Sequence, residues 1–414
     1  MATFDLTAAD NLSKIHFGPR IEKQFNTAAK LYNKVAAGRG EAISNRGYEV
    51  PIHVNPNAAI SWFSDGGTLP AGGGQDIKRS LALYKRFALA VRLTGDAIDS
   101  TSNDAVAYAK AMAFNVKNAT IDAIKYLNIY SFLDGTGFLT TANADNQNAD
   151  STVTPFALTV ADSRYLRKGM TLDIHDGVTS TVLGTVEVQA ITSATVISTL
   201  KTAGTLTDVD TGDSIAITGS FNKVMHGLDL LIDDTDVAGG VQGIDRGDVP
   251  EFQANVITLS GSPALSRDHL RRGEARIQIS LGDDGPAYEV WSHPAQLHAY
   301  ADMGWPMKRF QGGGAGKMDL GFTAYEWEGK KWVVDTDAPK DKLYFLNAAS
   351  MFKVSNRGLS FDDKTGSIWN RVTSSTAGRY TDAFEAYLMC RMNLGIYVPR
   401  ANTKIEGLAV TGGY

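Results

Sequence analysis

The sequence predicts a mixed α+β chain with a long helix, an extended β-hairpin and an inserted small all-β domain. Three observations predict this class. An apolar stripe of helical period lies within residues 103–133, strand alternation flanks a glycine-rich turn in residues 48–95, and short Thr/Val-rich segments fill residues 152–220. Hydrophobic residues make up 43% of the chain and charged residues 21%, which is typical of a globular protein with a sizeable core.

The first 95 residues predict an arm followed by a long hairpin. In the arm, residues 18–35 are a helix candidate, and the segment Ala36–Gly40 ends it. Apolar residues then alternate through Tyr48, Val50, Ile52 and Val54. A turn-rich tip follows at 64–74, and the chain returns through 80–93. An isolated hairpin is marginally stable in water, so we expect this one to lie on another surface.

The helix predicted over residues 103–133 carries one alanine-rich apolar stripe. Its members recur at spacings of three and four residues: Ala105, Ala109, Met112, Val116, Ala119, Ala123 and Leu127. The segment Asp134–Gly137 ends the helix. Residues 152–220 then change character, because turn pairs such as Asp176-Gly177 and Thr211-Gly212 separate short alternating segments. We predict a small β-barrel or sandwich there, inserted between helix-and-sheet regions.

Composition argues against several classes of function. The formal net charge of −5 does not favour a protein that neutralises nucleic-acid phosphates. The single cysteine, Cys390, excludes an internal disulfide framework. The sequence begins with no apolar signal segment, and no run of about 18 apolar residues occurs in it. We therefore expect that the protein does not associate with a membrane and that it is synthesised in a cytoplasm.

Catalytic and ligand-binding motifs are near misses. The run Gly312–Lys317 resembles a phosphate-binding loop, but Gln311 stands where the motif needs glycine and Met318 where it needs serine or threonine. The segment Asp208–Asp213 has the wrong ligand spacing for calcium, and no histidine pair has the spacing of a zinc helix. We therefore predict no enzyme activity, no cofactor and no metal.

Four arginines cluster within ten residues, at positions 267, 271, 272 and 276. A nucleic-acid role would favour interleaved aromatic residues, which are absent here. A charged helix face or a subunit contact is the favoured interpretation.

The order of these elements resembles a known family. The segment Ala58–Pro70 is followed by Lys85-Arg86-Phe87-Ala88, then by Leu93–Ser100, the long helix and Ser131–Gly137. The C-terminal segment Arg391–Ala401 adds a further likeness. The chain resembles the major capsid proteins of tailed bacteriophages, which have the Hong Kong 97-type fold.

The resemblance implies a division of the chain into seven parts. They are an N-terminal arm (1–47), an extended loop (48–95), a spine helix with part of a peripheral domain (96–151), the inserted domain (152–220), a further peripheral part (221–260), an axial domain (261–349) and C-terminal strands (350–414).

The same resemblance implies a structural coat protein that assembles into pentamers and hexamers of an icosahedral head shell enclosing phage DNA. Its partners would be copies of itself, a separate scaffolding protein, a portal, a decoration protein and packaged double-stranded DNA contacted only weakly. The protein would lie in the virion after assembly in the cytoplasm of the bacterial host. Predicted inter-subunit contacts are Trp62, Asp65, Gly66, Gly67, Gly72, Gly73, Gly74, Lys78, Arg79, Lys85, Arg86, Arg271 and Arg272.

Three alternatives stay open at this point. An encapsulin-like cargo shell would share the resemblance. A β-rich surface adhesin would use residues 152–220 as its binding module, although no export signal supports it. A hydrolase with dispersed catalytic residues is the third.

Overall fold

A computed structural model describes residues 28–36, 41–43, 46–96, 105–206, 208–237, 239–282, 287–308, 326–363, 366–373 and 380–410, with backbone alone for 41–43, 105–114 and 304–308. Most of the predicted helix 18–35 and the loop 312–316 lie outside the described residues. The chain divides into two compact units. Unit 1 contains Lys85–Met225 and Arg357–Met392, and unit 2 contains Ala29–Tyr84, His226–Asn356 and Asn393–Tyr414.

Helices and strands both contribute to the described chain, so the predicted α+β class is confirmed. The helices are α1 (Lys30–Lys34), α2 (Ala105–Tyr130), α3 (Leu228–Leu231), α4 (Arg267–Leu281) and α5 (Pro294–Lys308). The strands are β1 (Glu41–Ile43), β2 (Gly47–Asn55), β3 (Asp76–Leu83), β4 (Lys85–Thr94), β5 (Phe138–Thr141), β6 (Phe156–Thr159), β7 (Thr171–His175), β8 (Val182–Ile191), β9 (Val196–Gly204), β10 (Ser214–Ile217), β11 (Asn255–Thr258), β12 (Glu289–Ser292), β13 (Glu326–Trp327), β14 (Lys330–Val334), β15 (Leu343–Leu346), β16 (Met351–Phe361), β17 (Asn370–Thr373), β18 (Tyr380–Ile396) and β19 (Thr403–Glu406). Short 3₁₀ turns cover Pro250–Phe252, Ala348–Ser350 and Pro399–Ala401.

Helix α2 is the longest helix of the described chain, with 26 residues and a length of about 39 Å. The stripe residues Ala119, Ala123 and Leu127 are buried as predicted. The helix ends at Tyr130, before the predicted stop, and Asp134 then organises the turn. Its Oδ1 accepts hydrogen bonds from the amide and hydroxyl of Thr136 at 3.0 and 2.6 Å.

Strands β5–β10 of unit 1 form a six-stranded sheet in the order β5-β10-β7-β8-β9-β6. An antiparallel bridge between Ala142 and Val160 joins the two edge strands, so the sheet closes into a small barrel. The sheet begins at Phe138, earlier than the predicted 152–220, because β5 is too short to show alternation in the sequence but pairs with β10. Apolar side chains fill the interior: Leu158, Val160, Leu166, Leu172, Ile174, Val186, Val188, Ile197, Leu206, Val209 and Ile215.

The hairpin of unit 2 is shorter than the predicted 48–95. Strands β2 and β3 pair from Gly47↔Leu83 to Asn55↔Asp76. The chain then breaks at Tyr84, and β4 pairs with β18 along a ten-residue ladder inside unit 1. The single return strand predicted over 80–93 is therefore two strands with different partners. The continuous apolar alternation hides this change, since alternation records burial and not the identity of the partner strand.

Unit 2 is built on a sheet of order β11-β19-β15-β12-β14-β13. Helix α4 covers one face and buries Leu270, Gly273 and Ile277. Its N-terminus is capped by Ser266, whose hydroxyl accepts from the His269 amide at 3.3 Å, and Gly282 ends it in the left-handed region. The core between helices and sheet includes Ile257, Leu270, Ile277, Val290, Leu297, Trp332, Leu343, Phe345 and Ile405.

Candidate assembly surfaces

The tip of the β2–β3 hairpin, residues 56–75, exposes large apolar side chains. Trp62 is 99% exposed, Ile60 80%, Leu69 66% and Phe63 60%. Isolated exposed apolar residues are ordinary, but four on one short segment are unusual for a protein surface. The predicted contact residue Trp62 therefore lies where a partner can reach it.

Two glycines of the tip have distinct structural roles. Gly66 takes a positive φ of 76° within a turn closed by the Gly67 amide, which donates to Ser64 O at 2.8 Å. Gly73 lies against Asn57, whose Nδ2 donates to Gly73 O at 3.1 Å, so a Cβ at position 73 would overlap the Asn57 side chain. The contact between Asn57 and Gly73 thus links the two sides of the tip. The other predicted contact residues here, Asp65, Gly72 and Gly74, are exposed.

The base of the hairpin is held by a buried amide that sequence reasoning missed. Gln242 is 2% exposed and has a positive φ of 55°. Its Nε2 donates to the Ser80 hydroxyl at 2.6 Å, and its Oε1 accepts from the Ile396 amide at 2.8 Å. Its carbonyl oxygen also accepts from the Leu81 amide at 2.7 Å. Polar residues are ordinary in a turn-rich segment such as 239–243, so the sequence gives little indication that Gln242 anchors the hairpin.

The amide of Asn393 provides a second anchor for the hairpin base. Its Nδ2 donates to Leu83 O at 2.7 Å, and its Oδ1 accepts from the His226 amide at 2.8 Å. Together, the Gln242 and Asn393 anchors fix β3 at its last four residues, while the tip stays exposed.

The four basic residues predicted on the hairpin separate into two pairs. Lys78 and Arg79 lie exposed on β3, and Arg79 Nε is 3.5 Å from Glu49 Oε1 across the hairpin. Lys85 and Arg86 lie instead on β4 in unit 1. The four predicted residues are therefore divided between the two units.

Lys85 and Arg86 border a cavity of about 380 Å³ within unit 1. Its walls are mostly apolar and include Phe87, Leu127, Met225 and Met392. Burial lowers the pKa of Lys85, whose Nζ donates to Asn222 O at 3.2 Å.

The predicted contacts Arg271 and Arg272 lie exposed on helix α4, as does Arg276. Within the described residues, none of the three pairs with a carboxylate. The outer side of α4 ends in Ile279, which is 80% exposed. This face of the helix is therefore basic, with an apolar end.

A buried charge cluster in unit 2 was also missed by the sequence analysis. Lys404 is 2% exposed, and its Nζ lies 2.7 Å from Asp233 Oδ2, 3.1 Å from Asp229 Oδ1 and 3.3 Å from Glu406 Oε2. Burial alone would lower the pKa of Lys404, but the surrounding carboxylates raise it above its usual value. Lys342 adds a second cation, 2.7 Å from Asp229 Oδ2.

Burial is the largest single influence on Asp233 and acts to raise its pKa, but the hydrogen bonds from Lys404 and Thr235 and the charge of Lys404 together outweigh it. The net result is a pKa of Asp233 below its usual value. Every member of this cluster has an opposite charge within reach, which makes it a structural ion-pair network.

No group of three or more His, Cys, Asp and Glu side chains within the described ranges is arranged to hold a metal ion. No helix in the same part of the chain is both long and apolar enough to cross a membrane.

Comparison with known proteins identifies the fold. No protein-family model and no curated protein matches the sequence. A chain of the cyanophage A-1(L) capsid asymmetric unit aligns with a TM-score of 0.57 and 12% identity, over 95% of this chain and 96% of that chain. This chain has a capsid fold. A chain from the capsid of the native GTA particle supports it, with a TM-score of 0.50 and 11% identity over 95% of both chains.

The resemblance to phage capsid proteins predicted from the sequence is thus confirmed at the level of the fold. An encapsulin complex from Synechococcus elongatus is less similar, with a TM-score of 0.40 and 10% identity over 99% of this chain and 97% of that chain. That TM-score is too low to favour the cargo-shell alternative.

Proposed function

We propose that this chain is the major capsid protein of a tailed bacteriophage, which assembles into pentamers and hexamers of an icosahedral shell around DNA. A fold by itself does not specify function, so the proposal depends on a surface. The observation that carries it is the hairpin tip. It exposes Ile60, Trp62, Phe63 and Leu69 on a segment whose base is tightly anchored. An apolar segment of this kind needs a second chain to cover it.

Several elements fit the parts of the capsid fold that the resemblance implies. Helix α2 would be the spine helix, and the β2–β3 hairpin would be the extended loop. The barrel of β5–β10 would be the inserted domain, and the sheet of β11–β15 and β19 would be the core of the axial domain. The barrel would stiffen the subunit or present a surface on the outside of the shell.

The predicted contacts follow from this arrangement. Trp62, Asp65, Lys78 and Arg79 would contact the neighbour covered by the hairpin, and Arg271 and Arg272 would contact a neighbour within the ring. Lys85 and Arg86 belong to the other unit and would make a separate contact.

Self-assembly is the first partnership we propose. A separate scaffolding protein, a portal and a decoration protein would be the other protein partners. A net charge of −5 suits a shell that holds DNA without binding it tightly. Assembly would take place in the cytoplasm of the bacterial host, and the protein would end in the virion.

Deletion of residues 64–74 tests the proposal. The wild-type chain, expressed with and without its scaffolding protein, should form closed icosahedral particles visible by negative-stain microscopy. The deletion variant should remain folded by circular dichroism but should not form stable shells. Closed particles of normal stability from the deletion variant would contradict the assignment.

Two further outcomes separate the alternatives. Native particles filled with protein cargo and lacking DNA would indicate a cargo compartment. A monomer that binds carbohydrate would indicate an adhesin.

A further inference from the structure

Two oppositely charged surfaces of unit 2 lie on opposite faces of its central sheet. Strand β19 shows this through the alternation of its side chains. Thr403 Oγ1 donates to Gly273 O of helix α4 at 3.0 Å, and Ile405 packs in the same core as Leu270 of that helix. Lys404, between them, points the other way and meets Asp229 and Asp233.

The first surface is the outer side of helix α4. Leu270, Gly273 and Ile277 face the sheet, so Arg272, Arg276 and Ile279 face away from it. These three follow the i, i+4, i+7 pattern of one helix face, and Arg271 lies beside them. Asp268 is the exposed acid of this helix and lies in its first turn.

The second surface is acidic and follows the segment that meets Lys404. Asp234, Asp236, Asp245 and Asp248 are all exposed. The Asp236 carboxylate lies beside Gly247, so the turns 233–236 and 245–248 are neighbours in space. Partial burial and, after it, the adjacent Asp233 charge raise the pKa of Asp234.

A buried arginine holds this acidic surface in place. Arg246 is fully buried, and its guanidinium donates to Leu230 O at 2.8 Å, to Leu231 O at 3.1 Å and to Thr235 O at 3.2 Å. Val237, 38% exposed, provides an apolar group at the surface, as Ile279 does on helix α4.

We propose that the basic face of α4 in one copy binds the acidic turns 233–236 and 245–248 of the next copy, head to tail around the capsomer ring. This inference rests on the proposed function and adds the ring contact to it. The two surfaces lie on opposite faces of one sheet, so they cannot pair within their own sheet-and-helix unit.

A symmetric contact of α4 with α4 would bring arginines together and would be repulsive. A contact between two different surfaces is heterologous, and it generates a ring if its rotation closes. Charge complementarity would also steer the approach of subunits and would weaken as salt rises.

Charge reversal gives a sharp test, because the two surfaces can be reversed separately. The helix-reversed variant is Arg272→Glu with Arg276→Glu. The turn-reversed variant is Asp236→Lys with Asp248→Lys. Asp245 is left unchanged, since its carboxylate accepts from the Gly247 amide at 2.8 Å. Each variant alone should form rings at least about tenfold less than the wild type, measured by mass photometry, because every contact then pairs like charges.

A mixture of the two variants should form rings again, but only rings with an even number of subunits. The helix face that has become acidic in one variant is complementary in charge to the turns that have become basic in the other. The unchanged acidic turns of the first variant and the unchanged basic helix face of the second are also complementary. Subunits must therefore alternate, so hexamers form and pentamers do not. All four substitutions in one chain should restore both ring sizes. A reciprocal two-fold contact would instead give heterodimers in the mixture, which would overturn the head-to-tail arrangement.

Lys168→Glu with Lys331→Glu is the matched control, since it changes the net charge equally at two exposed positions outside helix α4 and the acidic turns. It should form rings as the wild type does. If either reversed pair unfolds the protein, Arg272→Gln with Arg276→Gln and Asp236→Asn with Asp248→Asn replace them. These neutral pairs should lower ring formation and its sensitivity to salt between about 0.1 M and 1 M.

The outcomes distinguish this inference from the proposed function. Wild-type shells together with normal rings from a folded helix-reversed variant would contradict the inference and leave the capsid assignment standing. A wild-type chain that stays monomeric with its scaffolding protein would contradict both.

Discussion

The side-chain amide of Gln242 donates a hydrogen bond to the hydroxyl of Ser80 at 2.6 Å, although the two residues are 162 positions apart. The same amide accepts from the Ile396 backbone, so one side chain connects β3 to the end of β18 within unit 2. Both side chains are buried, and the exposed hairpin tip ends at residue 75, just before β3 and five residues before Ser80. The hairpin is therefore anchored by a residue far away in the sequence.

Shortening the side chain of Gln242 should destabilise the protein. Asparagine tolerates the left-handed backbone of position 242, so Gln242→Asn isolates the loss of the two side-chain hydrogen bonds. We expect the free energy of unfolding of the subunit to fall by about 2–4 kcal/mol, because a buried group left without its partner costs about 1–3 kcal/mol. Urea titration of the free subunit measures it.

Ser80→Ala removes one of these bonds and should cost about 1 kcal/mol. Ser64→Ala, at an exposed position of the tip, is the control and should change the unfolding free energy by less than about 0.5 kcal/mol. A loss for Gln242→Asn no larger than the loss for Ser64→Ala would show that the anchor does not stabilise the hairpin.

Trp62 should report assembly by fluorescence. Its side chain is 99% exposed in the subunit, so its emission should shift to shorter wavelength when a neighbouring subunit covers it. Trp62→Phe should remove that shift, which would show that the shift comes from Trp62 among the six tryptophans of the chain.

Trp62→Asp should block assembly while leaving the unfolding free energy within about 0.5 kcal/mol of the wild type. Val178 is the matched control, since it is 95% exposed on the barrel, and Val178→Asp should assemble normally. Normal assembly of Trp62→Asp would remove the tip from the list of subunit contacts.

The Lys404 cluster should make the protein sensitive to acid. The pKa of Asp233 is lowered in the folded state by Lys404, against the opposing effect of burial. A carboxylate with a depressed folded pKa adds stability above its unfolded pKa of about 3.9, and this stability is lost as pH falls through the folded value. We therefore expect the unfolding free energy to decrease below about pH 5.

Lys404→Met should remove this part of the acid response and should lower stability at neutral pH by about 1–3 kcal/mol, since it leaves the half-buried Asp233 carboxylate without its cation while Lys342 still pairs with Asp229. Urea titrations from pH 3 to pH 7, taken as a rough working range, measure both effects. Lys331→Met, at an exposed position, is the control. An acid response equal to the wild type in Lys404→Met would mean that other carboxylates cause it.

A side chain at position 273 should destabilise the protein. A Cβ at this position in helix α4 would overlap the ring of Phe345, which belongs to the core of the unit 2 sheet. Gly273→Ala should cost about 1–3 kcal/mol from overpacking, although alanine favours a helix by about 0.5–1 kcal/mol.

Phe345→Leu made together with Gly273→Ala tests the cause. The smaller side chain frees space, so the double variant should be less destabilised than the sum of the single variants. Additive losses would show that the close approach of Gly273 and Phe345 is not the source.

Cys390 should be unreactive in the folded protein. Burial raises the pKa of its thiol to about 11, and the thiolate is the reactive form. Thiol labelling at about pH 8 should therefore be at least 100-fold slower than in urea-unfolded protein. Cys390→Ala should abolish labelling in both states. Rapid labelling of the native protein would show that the β4–β18 ladder opens readily.

Local patterns allowed much of the fold to be predicted. The stripe through Ala119, Ala123 and Leu127 repeats with the helical period, so helix α2 is visible in the sequence. The strands β8, β9 and β10 lie between turn residues and alternate, so a small β-barrel or sandwich could be predicted close to this position. These features depend on neighbours a few residues apart, which a single sequence displays.

The candidate surfaces were predicted less completely. Trp62 and the glycine-rich turn indicated an exposed tip, and Arg271 and Arg272 indicated a charged helix face. The sequence grouped Lys78 and Lys85 in one hairpin, residues 48–95, but the structure places them in different units. The partner of a strand is chosen across the whole chain, so alternation could not show where β3 ends and β4 begins.

Gln242, Arg246 and Lys404 were missed for the same reason. Each is a buried polar group whose partners are distant in sequence, and a polar residue usually indicates an exposed position. Local periodicity and turn chemistry are enough to predict the α+β class, the long helix and the β-rich segment 152–220, and the capsid resemblance comes from the order in which these segments follow one another. The pairing of the strands, the anchoring of the hairpin and the placement of the charged faces of unit 2 cannot be predicted in this way, because they depend on burial and hydrogen bonding between residues far apart in the sequence.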